Sequence, residues 1–311
     1  MKGTDMKIAI IGSGALGLYY GALLQRGGHE VHFLLRRDYD AIMSRGLTVH
    51  SVNGDFSLPS VAGHKTSDTI GPVELVIVGL KTFANNQLNN LIKPLIHEDT
   101  MILTLQNGLG NEELLAELFG AGRILWGVAF LCSNRGEPGH VHHLSAGRII
   151  IGEYQKPDNM RLELIAFNFT SAGIDCVTTG DLKKARWEKL VWNIPFNGLC
   201  ALLQQPVNQL LQVPDCRKLV RDLMVEVIAA ANTQDLSQAI PEQYADSMLE
   251  FTDGMGLYKP SMQIDREEGR ELEMQAIFRV PLLYGRGQGV SMPRVEMLAV
   301  LLEQGCFTVT S

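Results

Sequence analysis

The chain has 311 residues, enough for two domains that each bury a core, and its 46% hydrophobic and 20% charged residues are ordinary for a globular protein. A net charge of -7 argues against nucleic-acid and anionic-membrane partners, and no apolar run reaches the ~18 residues of a membrane span. The cysteines Cys132, Cys176, Cys200, Cys216 and Cys306 are far apart and form no CxxC, which suits reduced thiols in a cytoplasmic protein better than a disulfide frame.

Residues 1–5 read as a tail, with Met6 an alternative start, and they lack the pattern of a signal peptide. Lys7–Ile11 is a short β-rich apolar run that stops at Gly12. The following stretch, Ala15–Gln25, has a helical pattern ended by Gly27-Gly28. Between them, Gly12-Ser13-Gly14-Ala15-Leu16-Gly17 fits G-x-G-x-x-G in the strand-to-helix setting that gives this motif its meaning. Gly12 permits the tight turn, Gly14 lets backbone amides approach a diphosphate, and Gly17 lets the helix lie close to the sheet. The helix N-terminus adds free N–H groups and positive dipole.

Val31–Leu35 is a second strand. At the end of this strand an NAD site usually places an acidic residue on the ribose 2′-hydroxyl, whereas here the chain reads Arg36-Arg37. A guanidinium fork suits a 2′-phosphate, so NADPH is the expected cofactor. Asp38 speaks for NAD but lies two residues too late.

Leu75–Val78 and Met101–Leu105 are two further strands, with a helical pattern from about Phe83 to Ile92 between them. Lys81 and Asn107 each follow one of these strands, at the carboxyl ends where ligands bind in parallel sheets. The pattern alone also admits solvated loop residues. Asn111 caps a helix over Glu112–Phe119. His140, His142 and His143 cluster on a hairpin pattern without the spacing or supporting carboxylate of a metal site, so no metal is expected.

Beyond Asp181 no strand pattern remains, and helices are expected over Leu182–Leu203, Cys216–Asn232, Glu242–Leu249, Met262–Tyr284 and Arg294–Glu303, with Gly285–Gly289 as a loop. The fold class is therefore α/β, an N-terminal Rossmann-type doubly wound sheet with a C-terminal all-α domain. The boundary falls near residue 180, giving a nucleotide-binding domain over 1–180 and a helical substrate and catalytic domain over 181–311. The apolar helical half is compatible with a homodimer.

Hydride addition to a ketone creates an alkoxide, so a reductase needs an acid at that oxygen. All eight histidines lie at or before His143, and the helical half has none. It does carry Lys189, Asn193 and Asn197 at i, i+4 and i+8, on one face of a strongly apolar helix. Desolvation there would lower the lysine pKa and make it a better donor near neutrality. The alternative is a lysine reaching solvent beside two satisfied amides. Ser261 is placed to donate to a carboxylate or hydroxyl and Glu273 to pair with the lysine, or both belong to a solvated charged face.

Together these residues resemble the ketopantoate reductase (2-dehydropantoate 2-reductase) family along nearly the whole chain. The matching features are Gly12-x-Gly-Ala-Leu-Gly17, Arg36, Leu-Lys81-Thr, Gln106-Asn107-Gly, Trp187-x-Lys189-x-x-x-Asn193-x-x-x-Asn197, and Ser261-Met with Glu273 twelve residues on. The resemblance implies NADPH over the glycine loop, with Arg36 on the 2′-phosphate and Lys81 near cofactor and substrate. It makes Lys189 the general acid toward the C2 ketone and Glu273 the carboxylate that steadies it. It also implies that Asn107, Asn193, Asn197 and Ser261 hold the nicotinamide, the keto acid and its hydroxyl, and that domain closure assembles them. The product would be pantoate, on the route to pantothenate and coenzyme A. The chain departs from the family pattern at Gln275, at Phe278-Arg279 and at Pro195, which touches the substrate wall rather than the chemistry. Two other readings are a reductase of a different small 2-keto acid and a non-catalytic NADPH-binding sensor. Retention of Lys189 with Glu273 counts against the sensor.

Overall fold

The computed structural model describes residues 5–155 and 159–305. Cys306 and the first four residues lie outside that range. The chain divides into two compact units, one running up to Gln106 and resuming over Asn111–Leu182, the other comprising Asn107–Gly110 and the chain from Lys183 onward.

The first unit contains, in order, β1 (Lys7–Ile11), α1 (Ala15–Arg26), β2 (Glu30–Leu34), α2 (Tyr39–Arg45), β3 (Leu47–Ser51), β4 (Phe56–Leu58), β5 (Ala62–His64) and β6 (Leu75–Val78). It continues with α3 (Leu88–Ile92), β7 (Met101–Thr104), α4 (Asn111–Phe119), β8 (Ile124–Arg135), β9 (His140–Glu153), α5 (Asn159–Ser171) and β10 (Cys176–Thr178). The ten strands form one sheet in the order β4-β3-β9-β8-β7-β6-β1-β2-β5, with β10 on the C-terminal half of β9. From β8 through β5 every pairing is parallel, while β8 and β9 form a long antiparallel hairpin.

This is the Rossmann-type doubly wound sheet, and β1 shows why its strands are continuously apolar. Ile8 and Ile10 pack with α1 and α5 residues on one face, whereas Ala9 and Ile11 pack with α3 and α4 residues on the other. A strand buried on both faces has no polar alternation to display.

The second unit is all-α: α6 (Leu182–Leu203), α7 (Val207–Gln212), α8 (Pro214–Ala231), α9 (Gln243–Asp253), α10 (Ser261–Glu267), α11 (Val280–Gly287) and α12 (Pro293–Gln304). Its core gathers Trp187, Phe196, Met224, Phe278 and Leu298, with Leu109 from the short inserted segment. α6 runs unbroken through Pro195. Among the described residues no helix is long and apolar enough to cross a membrane.

Several element boundaries differ from the sequence expectation. The helix expected over Met262–Tyr284 is broken in two. Gly269 adopts φ 67, a left-handed conformation that ends α10, and Arg270 folds back to bond the buried Asp265 carboxylate at 2.9 Å. The chain re-enters helix through a π-turn, Gln275–Arg279, just ahead of Pro281, which has no N–H to continue a regular ladder. The stretch expected as a helix over Phe83–Ile92 begins as a 3-10 segment, Thr82–Gln87, and only its end is α-helical. The glycines expected to open a loop at Gly285 are helical through Gly287, and the turn comes at Gly289 with φ 74.

One glycine is demanded by packing within the second unit. Gly108 has φ 81, and a Cβ there would stand 2.3 Å from the Ala276 carbonyl oxygen. Gly108→Ala is therefore expected to destabilise the protein by more than the ~1–2 kcal/mol of a left-handed L-residue alone. Denaturant unfolding reads this directly, and an unchanged midpoint would contradict the tight packing.

Candidate active site

On the first unit the motif glycines fall into distinct physical roles. Gly12 has φ 106, and a Cβ on it would lie 2.3 Å from the Leu80 amide nitrogen, so the loop after β1 is pressed against the loop after β6. A Cβ on Gly17 would meet the Gly12 carbonyl oxygen at 2.3 Å, which lets α1 start directly under the turn. Nothing lies within 4 Å of the position a Gly14 Cβ would take. Gly14 is the N-cap of α1, offers no side-chain cap, and no acidic residue occupies the first turn. The first intrahelical bond is Leu18 N–H to the Gly14 carbonyl at 2.9 Å, so the amides of Ala15, Leu16 and Gly17 precede the helical ladder. Ser13 Oγ is buried with no hydrogen-bond partner among the described residues. Open space, amides ahead of the ladder, positive dipole and an unsatisfied hydroxyl fit the diphosphate of a dinucleotide.

At the end of β2, Arg36 is exposed and donates through Nη2 to Gln87 Oε1 at 2.7 Å. Arg37 is also exposed and donates to the Gly136 carbonyl at 3.1 Å. Asp38, the residue that spoke for NAD, is turned inward. It is 2% exposed, ion-paired with Arg135, and accepts from the Gly139 amide at 3.2 Å. Its carboxylate thus holds the β8–β9 turn. Lys81 lies half-buried at the start of the 3-10 segment after β6.

On the second unit α6 carries the polar face. Lys189 donates through Nζ to Asn107 Oδ1 at 2.7 Å, joining the inserted segment to the helix. One turn on, Asn193 is 5% exposed and its Nδ2 is buried without a hydrogen-bond partner among the described residues. Such a donor costs ~1–3 kcal/mol when unsatisfied, which marks a place for an outside acceptor. Another turn on, buried Asn197 accepts through Oδ1 from the Met262 amide at 3.1 Å and from Ser261 Oγ at 3.4 Å. Glu273 is 2% exposed, in the segment between α10 and the π-turn. The structure therefore joins Lys189 to Asn107 and Asn197 to Ser261 by direct bonds.

Because Asn197 accepts from the Met262 amide in the first turn of α10, it has a structural duty besides any ligand contact. Asn197→Ala is expected to lower stability by about 1–3 kcal/mol, the cost of a buried donor left unpaired. A thermal unfolding midpoint equal to that of the parent chain would contradict this.

Two features escaped the sequence reading. Arg186 sits three residues before Lys189, is 4% exposed, and donates to the Gly108 carbonyl at 3.1 Å. Burial pushes its pKa down to about 9. Its i, i+3 relation to Lys189 was the available signal. The second is the polar network around Gln106, taken up below. Of the histidine cluster, His140 bonds His50 at 3.0 Å, His142 stacks on His50, and His143 bonds Ser51 at 2.9 Å.

The parallel sheet with its glycine cradle places the first unit in the dinucleotide-binding class of folds. Sequence profiles of ketopantoate reductase PanE/ApbA match residues 8–156, and those of its C-terminal part match residues 181–305. The chain is 42% identical over 300 residues to a 2-dehydropantoate 2-reductase of Nostoc sp., covering 95% of this chain and 93% of that one. It is 28% identical to the enzyme of the same name from Aquifex aeolicus, over 96% of each chain. A crystal structure of 2-dehydropantoate 2-reductase from Geobacter metallireducens shares 68% identity, with a TM-score of 0.94 over 96% of this chain and 99% of that one. The chain belongs to the ketopantoate reductase family.

Proposed function

We propose that the protein reduces 2-dehydropantoate (ketopantoate) to pantoate with NADPH, as part of pantothenate and coenzyme A biosynthesis in the cytoplasm. The observation that carries this reading is the α6 face, where Lys189 bonds Asn107 and the buried Asn193 amide has a donor with no acceptor among the described residues. NADPH, when bound, supplies the hydride that converts the C2 ketone to an alcohol.

The remaining work falls to the chain. Gly12, Ser13, Gly14, Ala15, Leu16 and Gly17 bind the diphosphate through amides and the Ser13 hydroxyl. Arg36 takes the 2′-phosphate, and Lys81 and Asn107 serve the nicotinamide end. Lys189 donates the proton to the C2 oxygen as negative charge develops there. Its bond to Asn107 aims the ammonium group, and Glu273 steadies the charge from the same unit. Asn107, Asn193, Asn197 and Ser261 hold the keto acid and its hydroxyl. Trp187, Leu190, Val191 and Ile194 are all buried along α6, and this dry setting strengthens every charge-dipole contact made there. Exposed Leu283, Met297 and Leu301 on the second unit are compatible with a homodimer.

A bacterial strain unable to reduce ketopantoate tests the reading in a cell. Expression of the chain is expected to restore growth without added pantoate. Failure of a folded, expressed chain to do so would overturn the substrate assignment.

A further inference from the structure

We infer that Gln106 is a positioning residue for the reductase reaction, holding the two ends of the Asn107–Gly110 segment through a buried relay of side chains; this rests on the function proposed above. Gln106 is 3% exposed and its amide is fully engaged. Nε2 donates to the Leu80 carbonyl at 3.0 Å and to Asn85 Oδ1 at 2.8 Å, while Oε1 accepts from Thr104 Oγ1 at 3.1 Å. Asn85 Nδ2 then donates to Asn111 Oδ1 at 3.0 Å.

The directions in this relay are forced. The Leu80 carbonyl can only accept, so the Gln106 nitrogen must face it, and Asn85 must turn its oxygen to Gln106 and its nitrogen to Asn111. A flipped Gln106 amide would place oxygen against two acceptors. The relay therefore fixes a single geometry at four places: the end of β7, the loop residue before Lys81, the 3-10 segment after it, and the first residue of α4.

The consequence lies in the chain path. The segment that supplies Asn107 to Lys189 leaves the first unit at Gln106 and re-enters it at Asn111, and both of these residues belong to the relay. The segment itself is only four residues long. Pinning both ends leaves Asn107 little freedom, and Gly108 and Leu109 complete the fixation through the Arg186 bond and a 3.0 Å bond from the Leu109 amide to the Ala276 carbonyl. Small displacements of a positioning group cost catalysis steeply, on the order of 10²-fold per ångström.

Gln106→Met keeps the size of the side chain and removes every bond it makes. The expected result is a fall of about 10²-fold in kcat/KM for the 2-keto acid, with the Kd for NADPH changed less than ~threefold. Ile165→Ala, in α5 and away from the relay, serves as a control for stability loss alone. Hydrogen exchange of the Leu109 amide is the second readout, expected to quicken at least ~tenfold in Gln106→Met and to stay unchanged in the control. Asn85→Ala should move both readouts in the same direction by less, and it stands in if Gln106→Met fails to fold. Equal losses in Gln106→Met and Ile165→Ala, or an unchanged Leu109 amide, would overturn the positioning role. Silence of the parent chain with every keto acid would instead defeat the functional reading, and the exchange measurement would still decide the relay.

Discussion

Lys189→Ala is expected to lower kcat by ~10²–10⁴-fold, the range for losing a general acid, while NADPH affinity stays near that of the parent chain. The reasoning starts from the helix. Lys189 is half-buried on the helix that also buries Trp187, Leu190 and Val191, and its Nζ donates to Asn107 at 2.7 Å. In the proposed role, an ammonium group held in this way would protonate a developing alkoxide without having to reorganise. Lys189→Arg separates charge from acidity. A guanidinium keeps the positive charge and still donates to Asn107, but it is a far weaker proton donor. Substrate KM is expected to be largely retained in Lys189→Arg while kcat stays low. An unchanged kcat in Lys189→Ala would remove the acid role, and full activity in Lys189→Arg would reduce the lysine to a simple electrostatic contact.

Arg36→Glu is expected to raise the Kd for NADPH by ~10²-fold and the Kd for NADH by less than ~threefold. Charge-assisted hydrogen bonds contribute about 1.5–3 kcal/mol, and the reversed charge adds repulsion toward the 2′-phosphate. The structure sharpens this expectation because Asp38 is committed to Arg135 and the Gly139 amide. With that carboxylate buried, the proposed 2′-phosphate contact rests on the exposed Arg36. Equal loss of the two cofactors, measured by quenching of nicotinamide fluorescence, would exclude a 2′-phosphate contact.

The legibility of this protein in its sequence follows the physics of each element. β1, β6 and β7 were readable because they are buried on both faces, and an unbroken apolar run bounded by glycine or polar residues is a strong signal. The strands β3, β4, β5 and β10 are three to five residues long and carry too few positions for a period to emerge. The β8–β9 hairpin was read only around His140–His143, because register shifts at Phe130/Leu131 and Cys132/Ser133 break its alternation. The helix over Leu182–Leu203 was legible to the residue because its apolar face is continuous. The break between α10 and α11 was not, since it depends on a left-handed Gly269 and a buried Asp265 that helical periodicity does not register.

At the site the same division holds. The glycine cradle and the Lys189, Asn193, Asn197 face are local patterns of spacing, so the sequence displays them. The Lys189–Asn107 bond joins residues 82 positions apart, and the Gln106 relay spans three loops. Contacts of that kind arise from topology, and only the folded chain brings them onto one page.

The first measurement to make is initial-rate oxidation of NADPH by the purified protein with ketopantoate, beside 2-ketoisovalerate, pyruvate and oxaloacetate, repeated with NADH. Turnover fastest with ketopantoate and NADPH, yielding pantoate, is the predicted result. Faster turnover of another keto acid would contradict the substrate assignment, and no turnover of any acid by a protein that binds NADPH tightly would contradict the reductase itself.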